Sequence, residues 1–190
     1  MHTKKPEIIV FAGPNGSGKS SVTKQARIVG KYINADEIKA ATGCSDLDAA
    51  SQAEKLRETA LSNRDDFTFE TVLSTRRNLD LLQRAKDAGY FIRCIYVVTK
   101  DPNINVYRVM SRLNSGGHGV PADKVIKRYE RCFELLPEVY ELADTFYLYD
   151  NSDQLTRVAV KKRGILEIHP NEFWTDDEVQ NALLSHPEAI

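Results

Sequence analysis

Eight residues near the amino terminus, 13–20, have the spacing G-x-x-x-x-G-K-S of a phosphate-binding loop. The apolar run Ile8–Ala12 precedes them and predicts a buried parallel strand, and Ser21–Ile28 follow with a helical pattern. Between a strand and a helix, such a loop turns backbone N–H groups towards a polyphosphate, and the helix N-terminus adds partial positive charge. The motif therefore predicts that this chain binds a nucleoside triphosphate, which we take to be ATP.

Within the loop, two side chains have predicted roles in phosphoryl transfer. Lys19 is expected at the surface of the site, in contact with the β- and γ-phosphates, and the Ser20 hydroxyl is expected to ligate Mg²⁺. The predicted nucleotide-binding residues form one continuous segment: Gly13, Pro14, Asn15, Gly16, Ser17, Gly18, Lys19, Ser20 and Ser21.

Composition favours one soluble domain over residues 1–190. The net charge of −1 argues against a polybasic surface for nucleic acid or membranes. No apolar run approaches the roughly 20 residues that cross a bilayer, and the start of the chain lacks a secretory segment. The three cysteines lack C-x-x-C spacing, so we expect reduced thiols in a cytoplasmic protein, without a disulfide framework or metal site.

Strand and helix patterns alternate over the first 150 residues, which predicts an α/β fold with helices on both faces of a mostly parallel, five-stranded sheet. A hairpin around Arg163–Gly164 is expected to follow. On this reading the core spans residues 6–152, and residues 153–190 form a C-terminal appendage. The predicted strands are Ile8–Ala12, Tyr32–Asn34, Phe67–Glu70, Tyr90–Val98 and Thr145–Tyr149.

Three acidic residues follow predicted strand ends, where ligands bind in open parallel sheets. Asp36 is the candidate catalytic base and contacts the acceptor; the alternative is that it caps a helix. Glu70 is the candidate for binding substrate hydroxyls or a water on Mg²⁺; the alternative is a solvent-facing glutamate on an edge strand. Asp150 is more typical of a turn.

Three arginines flank a glycine-rich loop, Ser115–Pro121, that has the composition of a mobile lid. Arg112 and Arg128 are predicted to neutralise the transferring phosphate, with a solvated helix face as the alternative. Arg108 shares a helix face with Arg112 and is a candidate substrate-binding residue, as is His118 within the loop.

Four segments taken together resemble the zeta-toxin family of P-loop kinases, in its small, single-domain bacterial branch. They are Ala12–Ser21, Asn34–Ile38, Phe69–Ser74 and Gly116–Arg128, and the resemblance covers residues 6–152. It implies a kinase-like fold in which ATP phosphorylates a hydroxyl of a small molecule. In zeta toxins that molecule is UDP-N-acetylglucosamine, phosphorylated at the 3′-hydroxyl of the sugar.

The resemblance also assigns roles and a partner. It implies that Asp36 is the catalytic base, that Glu70 binds substrate, and that Arg112 and Arg128 are lid arginines. The implied partner is a small helical antitoxin that blocks the nucleotide site.

Two other functions remain open at this point. A nucleotide-dependent switch or partner-binding ATPase would release only ADP and phosphate, whereas a kinase makes a phosphorylated acceptor. A polynucleotide kinase would bind with a steep salt dependence, and the near-neutral charge weighs against it.

Overall fold

The structure is a computed structural model that describes residues 5–114 and 120–185. One sheet of seven strands runs through these residues in the order β2-β3-β1-β4-β5-β6-β7. The first five strands are parallel, and β6 and β7 continue the sheet antiparallel. Their bounds are β1 Glu7–Ala12, β2 Lys31–Ile33, β3 Phe67–Thr71, β4 Phe91–Val98, β5 Thr145–Asp150, β6 Thr156–Lys162 and β7 Ile165–Ile168.

Helices connect the parallel strands and then cover the sheet at the end of the chain. They are α1 Lys19–Thr23, α2 Ala35–Thr42, α3 Asp46–Asn63, α4 Arg76–Asp87, α5 Pro102–Asn114, α6 Ala122–Glu134, α7 Leu136–Leu142 and α8 Asp176–Leu184.

The central strand β1 divides the hydrophobic core between the two faces of the sheet. Ile8 and Val10 point into the larger cluster, which α3, α4, α6, α7 and α8 cover. Ile9 and Phe11 point into a smaller cluster on the other face, packed against Val22 of α1. This alternation follows from the two-residue period of a strand, so the apolar run is buried on both faces. Helices therefore lie on both faces as predicted, but unevenly.

Two details differ from the sequence-based prediction. The sheet has seven strands instead of five, because the predicted hairpin pairs with β5 and joins the sheet. The helix after the phosphate loop ends at Thr23, not at Ile28. Beyond it, the Val29 N–H donates to Thr68 Oγ1 at 3.0 Å and the Thr68 hydroxyl donates to the Val29 carbonyl at 2.8 Å, which draws the chain back to the sheet.

The parallel direction of the strands places the predicted site residues together, at the carboxyl ends of the strands. Because β1 to β5 run in the same direction, the segments that follow their carboxyl ends meet along a single edge of the sheet. The phosphate loop follows β1, Asp36 follows β2, and Glu70 lies near the end of β3. These are the residues from which the site is built.

Candidate active site

The phosphate loop connects β1 to α1 and is held against the neighbouring strand. Gly13 has φ +136°, and a Cβ at this position would lie 2.0 Å from the Val97 carbonyl oxygen. Only glycine avoids this clash and the strain of a left-handed conformation. The turn that follows is closed by the Ser17 N–H, which donates to the Pro14 carbonyl at 3.2 Å. The loop conformation therefore depends on glycine for a specific steric reason.

Lys19 begins α1 beneath the loop. Its Nζ donates to the Pro14 carbonyl at 3.0 Å, and only 7% of the residue is exposed, so it lies deeper than the surface position predicted. Burial lowers the pKa of this ammonium, while the carboxylates of Glu70 and Asp36 raise it and the Arg112 guanidinium lowers it further. The Lys19 amine therefore lies in a poorly hydrated position, where electrostatic attraction between an ammonium and a phosphate is strong.

Asp36 lies in the first turn of α2 and is not its cap. The cap is Asn34, whose Oδ1 accepts a hydrogen bond from the Asp36 N–H at 2.9 Å. Asn34 Nδ2 also donates to the Tyr32 hydroxyl at 2.9 Å. The capping alternative for Asp36 is therefore wrong, and its exposed carboxylate is available at the cleft described below.

Glu70 lies on an inner strand, because β3 pairs with both β1 and β2. The edge-strand alternative is therefore wrong. Its carboxylate accepts hydrogen bonds from Ser20 Oγ at 2.8 Å, Thr23 Oγ1 at 3.2 Å and the Tyr32 hydroxyl at 3.2 Å. Burial raises the pKa of Tyr32 to about 12, and the Glu70 charge acts in the same direction, so the phenol stays a donor.

The predicted arginines occupy different positions. Arg128 Nη1 donates to Asn15 Oδ1 in the phosphate loop at 3.2 Å. Arg112 is exposed, with its Nε donating to the Arg108 carbonyl at 3.3 Å. Arg108 points elsewhere and donates to the carbonyls of residues 151 and 152, at 2.7 and 3.1 Å. His118 and residues 115–119 of the predicted lid lie outside the described residues.

One cleft of about 500 Å³ collects most of the candidates. Arg108 is not among its lining residues. Those predicted from the sequence that line it are Asn15, Gly16, Lys19, Ser20, Asp36, Glu70, Arg112 and Arg128. A triphosphate site and two carboxylates thus open into one space of the size that small ligands occupy.

Sequence reasoning missed two groups that support this site. Asn105 is fully buried, and its Nδ2 donates to the Asn15 carbonyl at 2.6 Å. Asn151 Nδ2 donates to the Ser17 carbonyl at 2.8 Å. The sequence did contain a signal for Asn105: it lies four positions before Val109 and therefore on the same, buried side of α5, where a polar side chain needs a hydrogen-bond partner. Asn151 directly follows Asp150, and nothing in the local sequence indicates that its side chain reaches the phosphate loop.

The opposite wall of the cleft also escaped prediction. α3 contributes Glu54 and Arg57, and the segment after β3 leads to Arg77. Arg77 Nη1 forms an ion pair with Glu54 Oε2 at 3.0 Å. Burial lowers the pKa of Arg57, the Glu54 and Glu58 carboxylates raise it, and Arg77 lowers it. These residues lie between the predicted motifs in the sequence, and only the packing of α3 beside β3 brings them to the site.

The oxygen donors of the site suit Mg²⁺. Among residues 5–114 and 120–185, no cluster of three His, Cys, Asp or Glu side chains is placed to hold a metal alone. Ser20 and Glu70 nevertheless offer a hydroxyl and a carboxylate beside the loop. Because Mg²⁺ prefers oxygen ligands and binds through few protein groups plus substrate phosphates, these two residues fit it.

A larger cavity of about 690 Å³ lies at the other edge of the sheet, around Arg93, Asp144 and Lys161. None of the predicted site residues lines it.

No helix in the described part of the chain combines the length and apolar character needed to cross a membrane.

Comparison with known proteins gives a family and a relative. Residues 31–172 match the family model described as Zeta toxin. The matched range begins after the phosphate loop, so the loop is an independent observation. An uncharacterized protein of Haemophilus influenzae is 30% identical over 127 residues, which cover 64% of this chain and 91% of that protein.

Solved structures support the fold. The crystal structure of AvrRxo1-ORF1:-ORF2 with ATP superposes with a TM-score of 0.68 at 14% identity, over 86% of this chain and 60% of that chain. The PezAT chromosomal toxin-antitoxin system of Streptococcus pneumoniae superposes with a TM-score of 0.61 at 15% identity, over 96% of this chain and 80% of that chain. This chain thus spans about three fifths of the AvrRxo1 chain, and at such identities the likeness shows the fold alone.

Proposed function

Because this chain belongs to the zeta-toxin family of ATP-dependent P-loop kinases, we propose that it transfers the γ-phosphoryl group of ATP to a hydroxyl of a small metabolite. The observation that carries the proposal is the single cleft shared by Lys19, Asp36, Glu70 and Arg128. A site that only hydrolysed ATP would need room beside the phosphates for a water molecule. This cleft is larger, because it extends from the phosphate loop to residues of α3, and it therefore has room for an acceptor molecule.

The residues divide the chemistry between them. Asp36 accepts the proton of the acceptor hydroxyl as that oxygen bonds to the γ-phosphorus and the β–γ bridging oxygen leaves with ADP. Lys19, Arg112 and Arg128 neutralise the charge on the phosphates. Mg²⁺, bound through Ser20 and the phosphates, would supply further charge neutralisation.

Glu70 is proposed to serve both sides of the reaction. Its carboxylate orients Ser20 and has about four acceptor positions, of which Ser20, Thr23 and Tyr32 use three. The remaining position is proposed to accept a hydrogen bond from an acceptor hydroxyl. A sugar diol between Asp36 and Glu70 fits this arrangement, so UDP-N-acetylglucosamine is the first acceptor to test.

The test follows the phosphoryl group. The protein is incubated with γ-labelled ATP and Mg²⁺, first with UDP-N-acetylglucosamine and then with a cell metabolite extract, and labelled products are identified by mass spectrometry. We expect a labelled phosphate ester that is absent with Lys19→Met. Label found only in inorganic phosphate would contradict the kinase proposal and support a switch ATPase.

We also propose a small antitoxin protein as partner and the cytoplasm as location. The support is family membership and the similarity to PezAT, itself a toxin-antitoxin system. Free thiols at Cys44, Cys94 and Cys132 are consistent with a reducing compartment. Expression of wild type and Lys19→Met in a bacterium tests toxicity: we expect growth arrest only with the wild type, and equal growth would contradict a toxin.

A further inference from the structure

Arg57 is a buried arginine in the wall of the cleft. It projects from α3, only 9% of the residue is exposed, and its guanidinium carbon lies 5.4 Å from the centroid of the Phe69 ring. Phe69 directly precedes Glu70 on β3, so this stacking fixes the guanidinium beside the strand that carries the catalytic-site carboxylate. The guanidinium of Arg57 therefore packs against a ring of the core, and the residue lines the cleft.

The guanidinium lacks the partner that a buried arginine normally has. Within residues 5–114 and 120–185, Arg57 forms neither a hydrogen bond nor an ion pair within 4.0 Å; Glu54 instead pairs with Arg77 and Glu58 with Arg84. Its nitrogens are also not among the fully buried polar atoms without partners, so they retain accessible surface on the cleft side.

Burial removes most of this residue from water, and the nitrogens that stay accessible have no hydrogen-bonded partner among the described residues. Arginine does not deprotonate in proteins, so the charge persists, and removing a charge from water without a hydrogen-bonded counter-ion is unfavourable. The Phe69 ring offsets only part of this cost, because cation–π attraction is weaker than a charge-assisted hydrogen bond. Five N–H donors directed at a ligand cleft are suited to a planar or tetrahedral oxyanion.

We propose that Arg57 is a specificity-determining residue that binds an anionic group of the acceptor, a phosphate or carboxylate, in the cleft that it shares with the phosphate loop. The acceptor is then an alcohol that already carries negative charge, held by Arg57 at one end and presented to Asp36 at the other. Neutral alcohols, which leave the guanidinium unpaired, are rejected. This inference rests on the proposed kinase function and adds the chemical class of its substrate.

Burial lowers the pKa of Arg57 and the charges of Glu54 and Glu58 raise it, but the carboxylates themselves form ion pairs with Arg77 and Arg84. Glu54 lies one helical turn before Arg57 on α3, in reach of it by spacing, but its carboxylate bonds to Arg77 instead. Arg77 is substantially exposed, with 70% of its side chain accessible, so this ion pair lies in a solvent-exposed part of the cleft. The pair thereby reduces competition by Glu54 for the buried guanidinium.

The experiment separates acceptors by charge. A metabolite extract is divided by anion exchange into anionic and neutral pools, and each is incubated with the protein, γ-labelled ATP and Mg²⁺. We expect labelled ester only from the anionic pool. At limiting acceptor, we expect Arg57→Met to lower the rate about 10- to 100-fold, the loss typical of a charge-assisted hydrogen bond. Arg57→Lys should recover part of this rate because it restores the charge.

Further measurements distinguish recognition from structural damage. Methionine keeps an unbranched apolar side chain of similar length at this buried position, so Arg57→Met should keep the thermal midpoint and the affinity for a nonhydrolysable ATP analogue, with the effect confined to the KM of the acceptor. Arg76→Gln is the matched control, because Arg76 pairs with Glu138 outside the cleft.

Each outcome has a distinct meaning. Labelled ester from the neutral pool, or an acceptor KM unchanged in Arg57→Met, overturns the inference and leaves the kinase proposal standing. Absence of labelled ester from both pools overturns the kinase proposal and the inference with it.

Discussion

Lys19 and Asp36 differ in how far the fold depends on them. Lys19 is buried and bonded to the phosphate loop, whereas Asp36 is exposed and its carboxylate does not cap α2. Because the Lys19 stem fills space, truncation to alanine would combine loss of charge with a cavity. Substitutions of these residues must therefore remove the functional group while preserving the volume of the side chain.

Lys19→Met is expected to lower the rate of phosphoryl transfer strongly while the protein stays folded. Methionine replaces the stem but not the charge, and loss of one group that stabilises transition-state charge lowers rates roughly 10²- to 10³-fold. The measurements are turnover at saturating ATP and Mg²⁺ and the thermal midpoint. Lys24→Met, at an exposed position just after α1, is the control and should have wild-type turnover. Wild-type turnover in Lys19→Met would refute the phosphate-loop assignment.

Asp36→Asn is expected to lower turnover about 10²- to 10⁴-fold with little change in stability, because an amide cannot accept the acceptor's proton. Asn34→Ala should instead lower the stability of the fold. It removes the helix cap and so lowers the free energy of unfolding by about 1 kcal/mol. Turnover and denaturant unfolding, measured for both variants, test whether Asp36 is the catalytic base. Normal turnover in Asp36→Asn would show that another group is the base.

At the scale of elements, the C-terminal helix α8 is joined to the carboxyl end of β4 by one charged contact. Lys100, in the segment after β4, donates to Glu178 Oε1 at 2.6 Å. The Thr175 N–H donates to the other oxygen of Glu178 at 3.0 Å, completing a capping box. Lys100 also lies 4.4 Å from the centroid of the Trp174 ring. A few polar contacts thus orient a helix whose apolar side is buried.

This contact predicts a pH-dependent stability. The hydrogen bonds from Lys100 and Thr175 lower the pKa of Glu178 from 4.5 to about 2. A carboxylate with a lowered folded-state pKa stabilises the fold above the unfolded pKa, and this stabilisation disappears as pH falls through the folded pKa. Glu178→Gln should therefore lower the thermal midpoint at pH 7, and its difference from wild type should shrink between pH 4.5 and 2.

The comparison requires a neighbouring acid as control. Asp177→Asn removes a charge from the same first turn, so it reports the general effect of the helix dipole. Thermal melts of wild type and both variants across this pH range give the measurement. A Glu178→Gln difference that persists unchanged at pH 2 would show that the contact with Lys100 is not its source.

At the scale of the whole molecule, the segment after residue 152 is part of the fold. β6 pairs with β5 along the sheet, and Val158 and Ala159 are fully buried. Trp174 is 6% exposed and stacks on Phe133 of α6, 6.1 Å between ring centroids. α8 adds buried Val179 to the larger core cluster. The predicted appendage therefore supplies both a strand partner and core side chains.

Deletion of residues 153–190 is expected to prevent cooperative folding. Burying each large apolar side chain contributes roughly 1.5–3 kcal/mol, so the loss of several is comparable to a typical total stability of about 5–15 kcal/mol. Circular dichroism during heating tests this. Ile165→Ala, at a position 65% exposed on β7, is the control and should melt like wild type. A truncated chain with a wild-type melting transition would show that residues 6–152 fold alone.

Local pattern alone determined the phosphate loop and most element positions of this protein. The loop is one continuous segment, and the apolar periods of β1, β4 and α6 are short-range properties, so neither needs long-range contacts for its recognition. The number of strands was wrong because pairing between β5 and β6 is a tertiary choice. A hairpin pattern alone does not say which sheet edge it joins.

Only the tertiary structure decided which side chains share the cleft and what each contacts. Glu70 lies 50 positions from Ser20, and the hydrogen bond that it accepts from the Ser20 hydroxyl depends on β1 and β3 being neighbours in the sheet. Arg108 and Arg112 share a helix, yet one turns to residues 151 and 152 and the other to the cleft. Arg57 had no motif to mark it. Its importance comes from burial without a partner, a property of packing and charge that no local pattern contains.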